Sequence, residues 1–323
     1  MNLTAPARLA AYAIGLAGAF ATAFAVGGSL QPVVDQGEAT PAASSRQGAD
    51  AEQPAQHDAM MAGPTVAPAG LAVSQDGFTL VPGSATLPAG TAVPFAFTVT
   101  GPEGDVVTDY LEEHEKELHL VVVRRDLAGF QHVHPTRDDA GTWSVPLDLS
   151  AAGTYRVFAD FVPTGLGRGV TLGTDVFVGG DYTPQALPAP SDTATVEGYE
   201  VTLDGVAAAG QETELTFTVR KDGEEVTDLE PYLGAFGHLV ALRAGDLAYL
   251  HTHPSQEARS GEQGGPAVEF ATEFPTAGAY RLFLDFRHAG QVRTAELTVE
   301  VLPGAGPAAP QPTAGHDSTQ PDH

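Results

Sequence analysis

The 323-residue chain carries 41 acidic and 15 basic side chains, a formal net charge of −26, and no cysteine. A surface this negative repels nucleic acid and anionic lipid, which excludes a nucleic-acid-binding role. The lack of thiols excludes disulfide scaffolds, thiolate metal sites and cysteine nucleophiles. The 37 glycines and 25 prolines, with abundant Val and Thr, break the chain into short pieces, which predicts an all-β protein with many turns.

The N-terminal residues 1–30 have the pattern of a signal anchor or a signal peptide. A short polar stretch ends at Arg8, and an almost wholly apolar run, Leu9–Leu30, follows it. The run is long enough to span a bilayer of roughly 30 Å, which predicts a transmembrane helix with its N-terminus inside. Ala21 and Ala23 offer an A-x-A-like cleavage site, so secretion after cleavage is the alternative. In both cases the bulk of the protein is extracytoplasmic.

Residues 31–70 form an Ala/Pro/Gly-rich segment that cannot bury enough apolar surface to fold, and we expect a disordered tether. It contains the sequence HDAMM, with His57, Met60 and Met61. Imidazole and thioether groups together suit copper, particularly Cu(I).

Residues 71–180 show the pattern of a domain built from short strands. Apolar residues alternate with small or polar ones from Val93 to Val99, which indicates a strand with one buried face. The run Leu118–Val123 is apolar apart from its histidine, as expected of a central strand. In Gly153–Phe161, which reads GTYRVFADF, alternate residues again indicate one buried side.

Residues 193–302 repeat this pattern in the same order, after a proline-rich linker at residues 181–192. Gly278–Phe286, which reads GAYRLFLDF, copies GTYRVFADF of the first domain. This is a duplication, so we expect both copies to share one fold. Residues 303–323 form a tail rich in Pro, Ala and Gly, which we expect to be disordered.

One signal narrows the fold class. In Ig-like sandwiches a Tyr shortly after a Gly or Ala opens a late strand and hydrogen-bonds back across a corner. Ala152-Gly153-Thr154-Tyr155 and Ala277-Gly278-Ala279-Tyr280 both match this arrangement. We therefore predict two tandem Ig-like or fibronectin-like β-sandwich domains, without the usual disulfide.

The two copies of one stretch carry the candidate site. His119–Pro135 and His238–Pro254 share an H-L-V opening, an Arg and an H-x-H-P close at identical spacing. Residues two apart in a strand point to the same side, so each H-x-H pair shares a face, and hairpin pairing could add the first histidine. Three imidazoles without thiolate suit Zn(II), Cu(II) or Ni(II).

We therefore expect one imidazole-rich metal site in each domain, with a matched aspartate as a ligand or as a partner that orients a ligand histidine. His114 and His288, each present in only one copy, are candidate accessory ligands. The candidate metal residues are His119, His132, His134, Asp160, His238, His251, His253 and Asp285.

Two other interpretations remain open. In the first, His119 and His238 belong to buried networks in which their nitrogens bond to a backbone carbonyl and an aspartate. In the second, His251, His253 and Glu257 match the H-x-H-x3-E spacing of the first cupin metal motif, but neither copy contains the second cupin motif. No nucleophile elbow, P-loop or dinucleotide fingerprint occurs, and we expect no enzymatic activity.

The N-terminal apolar segment, the tether and the duplicated H-L-V-x-x-R and H-x-H-P modules with G-x-Y-R-x-F-x-D-F together resemble a family of largely uncharacterised secreted or membrane-anchored bacterial proteins. Members are sometimes described as heavy-metal-associated. The resemblance implies a cell-envelope location and a role in copper or other heavy-metal handling. The function expected first is binding of copper or zinc; the alternative is a structural or adhesion-type surface module whose histidines serve packing.

Overall fold

The computed structural model describes residues 68–304, and these residues are all-β. The predicted N-terminal anchor, His57, Met60, Met61 and nearly all of the tail lie outside the described residues. Within the described range, no helix has the length and apolar character needed to cross a membrane.

The strands fall into two sets, separated by a strand-free segment at residues 179–192. Sandwich 1 contains β1 (Ser74–Gln75), β2 (Phe78–Pro82), β3 (Thr86–Leu87), β4 (Gly90–Thr100), β5 (Tyr110–Leu111), β6 (Leu118–Arg124), β7 (Gln131–Val133), β8 (Thr136–Arg137), β9 (Trp143–Leu149), β10 (Gly153–Pro163) and β11 (Val170–Val178). Sandwich 2 contains β12 (Thr193–Val196), β13 (Tyr199–Asp204), β14 (Glu212–Lys221), β15 (Glu224–Glu225), β16 (His238–Arg243), β17 (Tyr249–His251), β18 (His253–Pro254), β19 (Ala267–Glu273), β20 (Gly278–His288) and β21 (Gln291–Val301).

The strand order is that of an Ig fold in both sets. In sandwich 1, one sheet runs β1-β2-β4-β9-β8 and the other runs β3-β11-β10-β6-β7. These match the A-B-E-D and G-F-C-C′ orders of Ig-like domains, with short additional strands. Sandwich 2 repeats them as β12-β13-β14-β19-β18 and β17-β16-β20-β21. The predicted fold class is therefore confirmed.

Both predicted tyrosine corners are present. The Tyr155 hydroxyl donates to the carbonyl oxygen of Ala151 at 2.8 Å, and the Tyr280 hydroxyl reaches the carbonyl oxygen of Thr276 at 3.1 Å. Each tyrosine is almost fully buried near the start of β10 or β20. The bond satisfies a phenol group that burial removes from water.

The two sandwiches pack against each other within one compact unit of the chain. On β6, Leu118, Leu120 and Val122 point into the core of sandwich 1, whereas Val121 and Val123 belong to a third apolar cluster. That cluster, here called the inter-sandwich interface, joins residues of both sandwiches. Its buried members are Val121, Val123, Leu127, Phe158, Val240, Leu242, Leu247, Tyr249 and Phe283.

The chain enters sandwich 1 between the two domains. The Tyr249 amide of β17 donates to the carbonyl of Ala69, and the Gly70 amide donates to the carbonyl of Thr171 on β11, both at 3.0 Å. Gly173 permits this close approach, because a Cβ at that position would lie 2.0 Å from the Gly70 carbonyl oxygen. Residues 69 and 70, the last of the predicted tether, are thus held by both sandwiches.

Stability should depend strongly on the inter-sandwich interface. Phe283 is fully buried and stacks on Phe130 with ring centroids 3.8 Å apart, so Phe283→Ala should lower the free energy of unfolding by about 3–5 kcal/mol. Phe177 on β11 is half exposed, so Phe177→Ala is a matched control with an expected effect within about 0.5 kcal/mol. Urea unfolding of both variants measures the difference, and equal losses would contradict an energetic role for the interface.

Candidate metal centre

Three histidines of sandwich 1 converge where β6 and β7 form a hairpin. His119 is the second residue of β6, which is buried along its whole length. β7 pairs with β6 in antiparallel register, Val121 opposite His132 and Leu120 opposite Val133, and His134 follows directly. His119, His132 and His134, here called the histidine triad, therefore lie on the sheet face that carries Val121 and Val123.

The ring nitrogens of the triad lie close together. His119 Nδ1 is 3.1 Å from His132 Nε2 and 3.2 Å from His134 Nε2. One nitrogen from each ring lies within 4.8 Å of the other two. Two nitrogens that bind one metal at roughly 2.0–2.1 Å are themselves about 2.8–3.4 Å apart, for square or tetrahedral angles. The two short separations fit neighbouring ligands on one ion, and they also lie in the range of a hydrogen bond.

The outer hydrogen bonds determine which nitrogens carry protons. His119 Nε2 lies 3.0 Å from the Glu113 carbonyl oxygen, which can only accept, so Nε2 carries the hydrogen and Nδ1 has a free lone pair. His132 Nδ1 lies 2.8 Å from Asp285 Oδ2, so in the neutral ring Nε2 has the lone pair. When both rings are neutral, these two lone pairs face each other across 3.1 Å. This contact is repulsive unless a proton or a metal cation lies between them.

Burial keeps two of the rings neutral. Loss of solvation, reinforced by the charge of His132, lowers the pKa of His119 to about 4 and that of His134 to about 3. The Glu113 carbonyl opposes this shift at His119 only in part. Near neutral pH both rings therefore present unprotonated nitrogens, the form that binds metal.

Residues of sandwich 2 complete the cluster. The buried His238 ring lies almost parallel to that of His119, with centroids 5.4 Å apart, and 4.7 Å from that of His132. Asp285 bonds to His132 across the domain boundary. His238 and Asp285 therefore lie on the sheet face that packs against sandwich 1, next to the triad.

The two predicted aspartates hold matched positions. Asp160 lies opposite His119 on β10, and Asp285 lies opposite His238 on β20. Each accepts a hydrogen bond from a threonine of the next strand, Asp160 from Thr171 and Asp285 from Thr294. For His251 and His253 the structure describes the backbone but not the side chains. His251 lies opposite Val240, as His132 lies opposite Val121.

Of the two accessory candidates, only His114 lies beside the cluster. Its ring is 6.1 Å from that of His119 and 5.5 Å from that of His238. His114 and Glu115 both adopt positive φ, +48° and +63°, in the turn before β6. With Glu115 and Glu257, His114 lines a surface cleft of about 340 Å³ between the sandwiches.

His288 belongs to a different network. It bonds to the Tyr199 hydroxyl and to Asp228, within sandwich 2. It therefore takes no part in the cluster.

Two contributors to the site were not predicted. The Glu113 carbonyl belongs to a turn with no recognisable motif. Tyr232 lies 6.4 Å from His134, ring to ring, and burial, helped by the charge of Asp285, raises the pKa of its hydroxyl, which stays protonated. Tyr232 occurs only in the second copy, so the comparison of repeats could not identify it.

Comparison with solved structures gives only weak likenesses. The Escherichia coli adhesin FdeC is 16% identical over 72% of this chain, and InvD of Yersinia pseudotuberculosis is 14% identical over 75%, both with a TM-score of 0.23. The D0-D1 domain of intimin is 11% identical over 69% of this chain and 97% of its own length, with a TM-score of 0.21. The chain spans 66% of FdeC and 62% of InvD, less than two thirds of each. Likenesses this weak carry no argument about function.

No curated protein matches the chain. Both repeats, in contrast, match one protein family over residues 73–176 and 194–302, which include all of the described candidate metal residues. The chain belongs to the family described as Domain of unknown function (DUF8832) and contains two copies of its domain.

Proposed function

We propose that this protein binds a transition-metal cation, copper or zinc, in the cell envelope and does so without catalysing a reaction. The observation that carries the proposal is the convergence of three ring nitrogens, His119 Nδ1, His132 Nε2 and His134 Nε2, with His119 and His132 held by outer hydrogen bonds to Glu113 and Asp285. Both outer bonds favour the ring orientation that a cation requires.

The donor set supports copper or zinc among the common metals. Imidazole nitrogens suit Zn(II) and Cu(II), whereas Ca²⁺ and Mg²⁺ prefer oxygen ligands. The side chains of His132 and Asp285 are only 1% and 3% exposed, so a bound ion would be largely shielded from solvent. Asp285 contacts His132 at the ring nitrogen that points away from the ion.

The envelope location rests on the N-terminal sequence. The apolar run Leu9–Leu30 directs the chain to the membrane, and it either remains as an anchor or is removed before secretion. The strong negative charge suits an extracytoplasmic protein that attracts cations.

A structural or adhesion-type surface module is the second candidate. It is favoured by the buried apolar interface, which makes the two sandwiches one unit, and by the hydrogen bonds that already engage His119 and His132. Under this hypothesis a shared proton replaces the metal between the two rings. The two candidates differ in whether the triad binds metal tightly.

Metal titration separates them. The variant His132→Ala with His134→Ala should lose at least about 100-fold in Zn(II) or Cu(II) affinity, because two of the three converging nitrogens are removed. Isothermal titration of the chain measures stoichiometry and affinity. His288→Ala is the matched control, since His288 bonds to Tyr199 and Asp228 outside the cluster, and it should bind as the wild type does. Equal binding by the double variant and the wild type would favour the structural module.

Stability without metal should fall as the pH is lowered from 7 towards 4. The unfolded histidines titrate near 6.5, whereas folded His119 and His134 titrate at about 4 and about 3. In that window the unfolded chain binds more protons, so the stabilising contribution is complete above about pH 6.5 and is lost on acidification. Each histidine contributes a slope of up to roughly 1.4 kcal/mol per pH unit, and the less buried His134 contributes less.

Urea unfolding at pH 7.5 and pH 5.0, with a chelator present, measures this effect. His119→Gln with His134→Gln should reduce the difference between the two pH values, whereas His288→Gln should leave it as in the wild type. A double variant with the full wild-type difference would show that other groups cause it.

A further inference from the structure

One hydrogen bond in the cluster crosses the domain boundary. His132 Nδ1 lies in sandwich 1 and Asp285 Oδ2 in sandwich 2, 153 residues apart in sequence and 2.8 Å apart in space. Both side chains are almost fully buried. A buried carboxylate is costly unless it is paired, so this contact requires the two sandwiches to be packed together.

Asp285 is itself held in place by its own sheet. Thr294 lies opposite it on β21, and the Thr294 hydroxyl donates to Asp285 Oδ1. The other carboxylate oxygen is thereby aimed at His132. Sandwich 2 thus supplies a fixed acceptor for a histidine of sandwich 1.

This acceptor determines what His132 offers to a cation. A neutral imidazole has two tautomers, and a carboxylate at Nδ1 selects the one whose lone pair is on Nε2. That lone pair faces His119 Nδ1, at the centre of the triad. Without Asp285 the ring loses both its preferred tautomer and its orientation.

We propose that Asp285 is a positioning residue that couples the site in sandwich 1 to sandwich 2. Cation binding by the triad and packing of the two domains then stabilise each other. This inference rests on the proposed function. It adds that the two domains together form the binding unit. If packing of the domains strengthens cation binding, then cation binding stabilises the packing by the same free energy.

The first test is Zn(II) titration of the full chain with Asp285→Asn. The substitution keeps the shape of the side chain but removes the charge that selects the tautomer, and loss of such an outer partner typically weakens metal binding about 10–100-fold. Asp228→Asn is the matched control: it makes the same change in sandwich 2, where Asp228 contacts His288 and not the triad. It should bind Zn(II) as the wild type does.

Two-bond ¹H–¹⁵N spectra of the imidazole rings report the tautomer directly. His132 should be in the Nδ1–H form in the metal-free wild type and should lose that preference in Asp285→Asn. If Asp285 had only a structural role, the substitution would leave the tautomer of His132 unchanged. If Asp285→Asn does not fold, Thr294→Val removes the hydroxyl that positions the carboxylate, and weaker Zn(II) binding is again expected.

Hydrogen exchange tests the coupling itself. Zn(II) should slow exchange of amides in β20 of sandwich 2 in the wild type, and do so less in Asp285→Asn, although the triad lies in sandwich 1. Two results would contradict the coupling in a wild type that binds Zn(II): equally tight binding by the asparagine or valine variant, or no protection of β20. In either case the site belongs to sandwich 1 alone. If the wild type does not bind Zn(II) or Cu(II), the proposed function itself fails.

Discussion

Two apolar sheet faces, one on each sandwich, have to be kept out of water, and the rest of the arrangement depends on that requirement. In a free Ig-like domain the outer face of each sheet contacts solvent. Here Val121, Val123 and Phe158 cover that face of sandwich 1 with apolar surface, and Val240, Leu242 and Phe283 do the same in sandwich 2. Burying these faces against each other is the favourable solution. His119, Asp160, His238 and Asp285 lie on the same strands and are buried with them.

Burial also explains the chemistry of the cluster. An exposed histidine titrates near neutral pH, exchanges tautomers and binds metal weakly, whereas His119 is only 5% exposed and has its outer nitrogen bonded to a backbone carbonyl. Desolvation favours the neutral ring, and the outer bonds determine which nitrogen is free. The apolar contacts of the inter-sandwich interface offset the cost of taking these polar groups out of water. The same contacts therefore stabilise the packed domains and keep the rings of the site neutral.

The sequence was sufficient to predict each sandwich but not their mutual packing. The tyrosine corners and the alternating residues of β4 and β10 specify a fold through short-range periodicity. The sequence also indicates that the other face of these strands is buried. Leu118–Val123 is apolar without alternation. Arg156, Phe158 and Asp160 recur as Arg281, Phe283 and Asp285. That recurrence marks a surface buried in both copies. Periodicity does not identify the partner surface, so the bond between His132 and Asp285, 153 residues apart, could not be predicted.

The path by which the chain enters the folded part has a mechanical consequence. Ala69 is bonded to Tyr249 of sandwich 2, Gly70 to Thr171 of sandwich 1, and Arg156 reaches the Gly70 and Leu71 carbonyls. Tension applied to the polypeptide on the N-terminal side of Ala69 therefore acts first on hydrogen bonds to both sandwiches, and not on the outer edge of one of them. It loads β17, which begins at Tyr249 and pairs with β16, the strand that begins at His238.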